Sequence, residues 1–510
     1  MFKKGILYIV FSYCLVTSFY AQQQNLPLNR EFNIVNQKVF NDLNNNTHTA
    51  FQPIIQSFIQ KDSSVSLSKK EQDYYLINLS KSDPKPRKFF KWLYRTAFYE
   101  NFAVVDTGNF YLTVDPLLNL ENGKDQKDSS DKVLYKNTRG IIIRGNVGDK
   151  FSFQSSFYEN QATLPSYMSD FVENRDVVPG QGRVKKFKEN GYDFAAASAN
   201  ISYTPFSFLN LQLGTGKNFI GDGYRSLLLS DQSFNYPFFK ATTQFGKRKQ
   251  FQYVILNAQL TNLNRREGGS SNEALFERKA MSTHYFNWIA TKWLTIGLFE
   301  NTIWQTEDSL GTKSFQFQQL NPVFGINALT TISSDVHHSV VGMNTKIKLP
   351  FKLILYNQFV YDGNQYEKTR GYQIGLKYLG LNYFTVQLEY NKMENPYTTT
   401  FEPQLQGFHH YNEYLTHPLG DNFDELVGII NFKYKRVFTQ IKGNYATLSD
   451  ATVTTFQTHL GYLVNPKNNM AIIIGLNNRK KDVDNQKVLN ETNYIYIGFR
   501  TALRNLYNDF

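Results

Sequence analysis

Cysteine is almost missing from this 510-residue chain, which contains one, Cys14. That residue lies inside an N-terminal stretch that reads as removable, so disulfides and thiolate chemistry are excluded from the mature chain. A lipid-modified cysteine would need a small residue before it, and Tyr13 stands there. Long apolar runs are missing too. After the first 20 residues or so, none approaches the ~18 residues of a spanning helix. Catalytic signatures are also lacking: Gly-x-Ser-x-Gly does not occur, and no Ser-His-Asp or Cys-His arrangement can be inferred. No catalysis and no cofactor are expected. The charge of +12 has no nucleic-acid-binding motif beside it.

Aromatic residues are abundant, at 16%, almost all of them Phe (43) and Tyr (33). Mean hydropathy is -0.44, a value usual for water-soluble chains. A membrane-spanning barrel reconciles the two, because every second strand residue faces a wet lumen and aromatic girdles mark both membrane interfaces. Lys3 and Lys4 precede an apolar stretch, Gly5 to Tyr20. That order predicts a signal peptide, residues 1–21, cleaved after Ala21. Phe19 fits the minus-three position poorly, which keeps cleavage after Ser18 as the alternative.

Residues 22–105 form a separate region. Weak helical spacing runs from Asn33 to Phe58, through Val35, Val39 and Phe40 and then Phe51, Ile54 and Ile55. A second segment, Phe89 to Phe102, is aromatic and basic. Between them lies a Ser- and Lys-rich stretch ended by Asp83-Pro84-Lys85-Pro86. This region is expected to be a small, partly helical periplasmic or plug segment, or a partly ordered leader.

From about residue 109 the period becomes two, and residues 106–510 are expected to form the barrel. Phe151, Phe153, Ser155 and Phe157 alternate with Ser152, Gln154 and Ser156; Met470, Ile472, Ile474 and Leu476 alternate with Ala471, Ile473, Gly475 and Asn477. Soluble sandwiches alternate as well, so the turns carry more weight. Tight connections near Gly148-Asp149, Lys247-Arg248-Lys249, Thr291-Lys292, Pro350-Phe351 and Asn465-Pro466-Lys467 alternate with long polar ones over 160–191, 218–234, 264–279, 307–336 and 396–424. Short periplasmic turns and long external loops are the topology of an outer-membrane barrel, here an antiparallel one of about 18 strands. Asn321 to Ser334 is assigned to a loop. Ile495, Ile497 and Phe499 alternate in the last strand, and Phe510 follows, resembling the signal read by barrel-insertion machinery. Outer-membrane lipid is the expected surroundings.

The most distinctive local sequence is Gly214-Thr-Gly-Lys217-Asn-Phe-Ile-Gly221-Asp222-Gly223-Tyr224-Arg225-Ser226-Leu-Leu-Leu-Ser230-Asp231, followed by Asn235-Tyr236-Pro237-Phe238. It lacks phosphate-loop spacing and leaves a strand for a loop rather than opening a helix. Together with Ser156-Phe-Tyr-Glu-Asn160, Val178-Pro-Gly-Gln-Gly-Arg183, Leu298-Phe-Glu300-Asn-Thr-Ile-Trp304 and Tyr411-Asn-Glu-Tyr-Leu-Thr-His417-Pro-Leu-Gly-Asp421-Asn-Phe, it resembles the capsule-assembly Wzi family, in its gliding-bacteria branch. The resemblance runs from about residue 30 to the end. It implies a barrel of about 18 strands with N-terminal helices. It also implies extracellular polysaccharide as a partner, and a part in capsule attachment or surface motility.

Asp222, Tyr224, Arg225 and Asp231 are the candidate polysaccharide-binding residues, since aromatic faces stack on sugars and charges bind hydroxyls or uronates. The structural alternative is that Arg225 pairs with Asp222 or Asp231 to brace an inward-folded loop. Glu300 interrupts an apolar face, where a carboxylate against lipid is costly; a bulge or strand end at the rim is expected there. His417, Asp421 and Glu425 have spacings that are not diagnostic of a metal, and none is expected. A passive or selective pore is the competing function.

Overall fold

A computed structural model describes residues 25–59, 91–129, 132–265, 276–308, 311–312, 320–331, 337–362, 369–394, 407–420, 422–483, 489–501 and 505–510. The signal-peptide assignment and the stretch ending at Asp83-Pro84-Lys85-Pro86 lie outside the described residues.

Eighteen antiparallel strands close into one barrel. They are β1 Phe110–Asp125, β2 Val133–Val147, β3 Phe151–Thr163, β4 Gly191–Phe206, β5 Leu209–Gly216, β6 Tyr236–Phe245, β7 Phe251–Arg265, β8 Phe276–Ile289 and β9 Leu294–Gln305. The second half comprises β10 His337–Leu349, β11 Leu353–Asp362, β12 Thr369–Tyr378, β13 Phe384–Glu394, β14 Phe423–Tyr434, β15 Val437–Leu448, β16 Ala451–Asn465, β17 Met470–Val483 and β18 Leu489–Thr501. Each pairs with the next, and β18 closes on β1 with Tyr494 opposite Asp125. Closure leaves no barrel edge unpaired in lipid. The short strands Ala103–Asp106 and Lys185–Phe187 add to the ends of β1 and β4. By the short-turn rule, the end carrying the turns after β2, β4 and β6 is periplasmic. One external connection, Ser449-Asp450 between β15 and β16, is as tight as those turns.

The alternation sorts as expected. Ile472 and Ile474 of β17 are exposed on the outside, while Ala471 and Ile473 point inward and are buried. The inward face is not uniformly wet, however. On β7 to β9 it carries Val254, Leu256, Ala258, Leu260, Met281, Tyr285, Phe299 and Ile303, all in one buried apolar cluster. On β2 to β4 it carries Thr138, Arg144, Gln154, Ser156, Ser198 and Asn200.

Several segments enter the lumen, among them 407–420, whose Phe408 and Leu415 join the buried cluster, and three that interlock. The first is N-terminal. Helix α1, Arg30–Phe40, starts where the Asn29 side chain accepts the Phe32 N–H. It is tied to the periplasmic turn by Lys38 Nζ, 3.1 Å from the Asn382 carbonyl. The helical spacing expected through Phe58 stops here. Asp42 and Asn45 side chains accept the N–H groups of Asn44 and Thr47 instead, offering the backbone a local alternative to helix. The chain continues extended, and Phe51–Gln52 pairs with Phe219 and Ile220 of an external loop. The second segment is that loop, 217–235. The third is Asn505–Phe510, which turns back from the end of β18 into the barrel. Phe510 therefore sits against Phe171 and Tyr167, with ring centroids 4.8 and 6.0 Å away, rather than on the last strand.

Within the aromatic and basic segment, Lys91–Phe98 forms helix α2, outside the lumen at the periplasmic rim. Asn465 donates to the carbonyls of Thr96 and Glu100 at 2.8 and 2.7 Å. Helix α3, Ser166–Arg175, lies in the connection after β3, and α4, Ile326–Thr331, in the connection after β9.

Glu300 corrects its expectation. It sits in regular register opposite His284, with no bulge and well inside β9. It has the outward parity of exposed Leu298, yet is buried. The connection bearing α4 folds over the outer wall, and the Gly325 N–H donates to Glu300 at 2.6 Å. Leu320, Val323, Ile326 and Leu329 of that flap are exposed in its place. The loop thus presents apolar side chains outward and hides a carboxylate whose contact with lipid would be costly.

Candidate functional site

The distinctive sequence forms the core of the plug. Leaving β5, the chain turns inward at Phe219, and Leu227, Leu228 and Leu229 enter the apolar cluster against β6 to β11. Ser226 organises the turn. Its hydroxyl donates to the Ile220 carbonyl at 2.5 Å and accepts the N–H groups of Leu228 and Leu229. Gln358 of β11 accepts the Leu227 N–H and donates to the Ile220 carbonyl. At Gly223 a Cβ would lie 2.5 Å from Glu389 Oε2, so only glycine lets the backbone approach that carboxylate. Glu389 accepts the Tyr224 and Arg225 N–H groups at 2.6 and 2.9 Å.

All four candidate residues are brought into the lumen, and none faces solvent. Arg225 is 1% exposed. Its fork reaches Glu425 of β14 at 2.8 and 3.2 Å and Asp509 of the tail at 3.3 Å. Tyr224 donates to Asp509 at 2.7 Å, and Lys442 of β15 pairs with Asp509 at 2.8 Å. Asp222 accepts from Thr49 at 2.8 Å and is paired with Lys346 at 3.1 Å. Asp231 accepts from Asn505 and Tyr507 and lies 3.6 Å from Arg30. The Arg30 guanidinium in turn lies over the rings of Phe219, Tyr224 and Tyr507, about 5 Å from each centroid. The inward-folded loop is braced, but Arg225 reaches neither Asp222 nor Asp231. Its partners come from β14 and the tail, sequence distances of 200 and 284 residues that no local spacing reveals.

Electrostatics follow this geometry. Burial pushes the Asp222 carboxyl up, and Lys346, Thr49 and Asn344 more than reverse that, leaving it below its ordinary value. Asp509 is likewise held low: burial raises it, and Arg225 and Lys442 overcome the rise. Burial works against the Arg225 charge, yet Asp509 and Glu425 hold its pKa well above the usual value. These groups stay ionised and mutually engaged, which suits a brace.

His417 is 2.8 Å from Glu425, inside the same network. Asp421 lies outside the described residues. Among the described residues no three His, Cys, Asp or Glu groups are placed to hold a metal ion. His410 accepts the Thr261 N–H at 3.0 Å through Nδ1, leaving Nε2 to donate to the Asn235 carbonyl.

The external surface carries a different cluster, which the sequence reading missed. Arg183, Lys185, Lys186 and Lys188 are exposed on the connection between β3 and β4, beside half-buried Phe187. Lys188 lies over the Phe187 ring at 5.2 Å and Arg183 over Phe276 at 4.7 Å. The signal was available as Arg183-Val-Lys-Lys-Phe-Lys188, in a segment treated only as a long loop.

No protein-family model matches the chain, and no curated protein sequence matches it. Solved structures do. One is described as Wzi, an outer-membrane protein involved in group 1 capsule assembly in Escherichia coli and a carbohydrate-binding β-barrel. It superposes with a TM-score of 0.59 at 12% identity, covering 94% of this chain and 99% of that one. Acinetobacter baumannii OccAB1 gives 0.43 at 11% identity, over 80% of this chain and 98% of that one. A BenF-like porin from Pseudomonas fluorescens gives 0.43 at 9% identity, over 79% and 98%. At such identities the Wzi likeness establishes the fold, a barrel of the outer membrane, and no more.

Proposed function

We propose that this barrel is a non-catalytic surface protein that binds acidic extracellular polysaccharide through its external loops and supports capsule attachment or gliding through that polymer. The observation that carries this reading is the plugged lumen. Arg30 of helix α1 pairs with Asp231 and Arg225 with Asp509 of the tail, while Asp222 ties loop 217–235 to Lys346 of the wall, across a lumen that a general pore needs open. With Asp222, Tyr224, Arg225 and Asp231 committed to that plug, polymer contact falls to exposed groups. The strip of Arg183, Lys185, Lys186 and Lys188 supplies cations suited to uronates, and Phe187 a ring suited to sugar C–H faces.

The test is binding of alginate, a uronate polymer, and of neutral dextran to the purified chain. Alginate is expected to bind more tightly, with an affinity that falls as salt rises. Changing Lys185, Lys186 and Lys188 together to Gln removes that preference. Equal binding of both polymers, or an unaffected variant, refutes the reading. Planar-bilayer recording separates the pore alternative: a steady large conductance counts for it. Gene deletion followed by capsule staining and a spreading assay tests the cellular role; unchanged polymer and normal spreading would sink it.

A further inference from the structure

The plug fills the lumen unequally. It packs on β6 to β11, covering the apolar inward face of β7 to β9. Against β1 to β4 and β13 to β18 it leaves a chamber of about 390 Å³, in the range of small-molecule sites. Among the described residues, none of β7 to β11 lines it.

The lining has a definite chemistry. One wall is hydroxyl and amide: Gln154, Ser156, Ser198 and Asn200, with the two serine hydroxyls 2.8 Å apart. Lysines and arginines outnumber carboxylates in the lining seven to three. Those carboxylates are already engaged: Glu31 by Arg500 at 2.7 Å, Glu121 by Lys136 at 3.6 Å and Asp231 by Asn505 at 2.7 Å. Arg144 differs from the paired cations. Its Nε is buried and has no hydrogen-bond partner among the described residues. Asp115 on the adjacent strand is taken by Asn101 and the Phe102 N–H. Nε itself is closed off from the chamber, but the guanidinium lines it without an ion pair among the described residues, so its charge is left for an anion to meet.

We propose that this chamber is a binding site for a small polyhydroxylated anion, a sugar acid, whose carboxylate meets Arg144 and Lys136 and whose hydroxyls meet the serine and amide wall. The site is separate from the external strip and does not rest on the polymer reading. A chamber of about 390 Å³ is of a size for a single sugar acid.

Because Cys14 is the chain's one cysteine and lies in the predicted signal peptide, a Ser198→Cys variant places a single thiol in the chamber. Its labelling by an anionic and a cationic methanethiosulfonate is compared, each normalised to free cysteine. The anionic reagent is expected to react faster, by roughly tenfold at low salt. D-glucuronate protects the thiol and D-glucose protects it much less. Adding Arg144→Gln and Lys136→Gln abolishes both differences while the barrel keeps its heat-modifiable migration. Saturation-transfer NMR of glucuronate with the unaltered chain needs no variant and is expected to show binding that glucose does not displace. Failure to label, equal or cation-favouring rates, or no glucuronate signal overturns the proposal. Alginate binding by the Lys185, Lys186 and Lys188 variant stands or falls independently of these outcomes.

Discussion

Replacing Asp509 by Asn tests whether the tail holds the plug in place. One Asp509 carboxylate faces Arg225 at 3.3 Å, Lys442 at 2.8 Å and the Tyr224 hydroxyl at 2.7 Å, all buried. Removing one partner of a buried ion pair costs about 3–5 kcal/mol, because the other charge stays desolvated. Arg225 keeps Glu425, so the lower end applies, and Lys442 bears most of the loss. A cost of about 3 kcal/mol multiplies the open population of the plug by roughly 150. Hydrogen exchange reads this directly. The amides of Leu227, Leu228 and Leu229 donate to Gln358 and Ser226 side chains, whereas strand amides belong to the barrel ladder. In Asp509→Asn the leucine amides should exchange about a hundredfold faster, with the ladder unchanged. Asp482→Asn serves as control, since its pair with Lys480 is about half exposed. Exchange within a few-fold of the unaltered chain in Asp509→Asn would refute the latch. Equal acceleration of ladder and loop would show instead that the whole barrel was weakened.

Acid and base should loosen different parts of the plug. Burial lowers the His48 pKa from 6.5 to about 4. The stabilisation from keeping it neutral is complete above pH 6.5 and is lost as pH falls toward 4, by roughly 3 kcal/mol at most. Proteolysis of residues 41–52 should rise between pH 6.5 and 4, and His48→Gln should flatten that response. Burial pushes the Glu413 carboxyl up to about 8. Its folded-state pKa is above the unfolded one, so the loop is destabilised as pH rises from about 4.5 to 8. Glu413→Gln should remove that alkaline loosening while keeping an acceptor for the Gly180 N–H. Leu329 is 78% exposed on the flap over Glu300. Leu329→Asp should lower the thermal midpoint in lipid bilayers; an unchanged midpoint there would show that the flap does not face lipid.

The barrel was legible because its signals are local. Alternation fixes which side chains face out, and turn lengths fix the direction of each strand, as at Gly148-Asp149 and Asn465-Pro466-Lys467. The plug was legible only in part. The 214–238 segment stood out as the most distinctive local sequence, with an inward-folded loop as one reading, but its partners, Glu389, Glu425 and Asp509, lie on remote strands and in the tail. Phe510 was read only as an aromatic following the last strand; its packing on Phe171 and Tyr167 inside the barrel depends on a remote helix that no local pattern reveals.

The apolar residues on the inward face of β7 to β9 held information that a two-faced strand pattern hides. Val254, Leu256, Ala258 and Leu260 make both faces of β7 apolar in part, as in a strand buried on both sides. In a barrel of this size such a strand must be covered from within, since water against that wall would forfeit its hydrophobic burial. The same face on β2 to β4, written in Ser, Thr, Asn and Gln, needs no cover. Where the plug sits and where the lumen stays hollow are therefore both encoded in which strands lose their polar face. Loop 217–235 supplies the matching Leu227, Leu228 and Leu229.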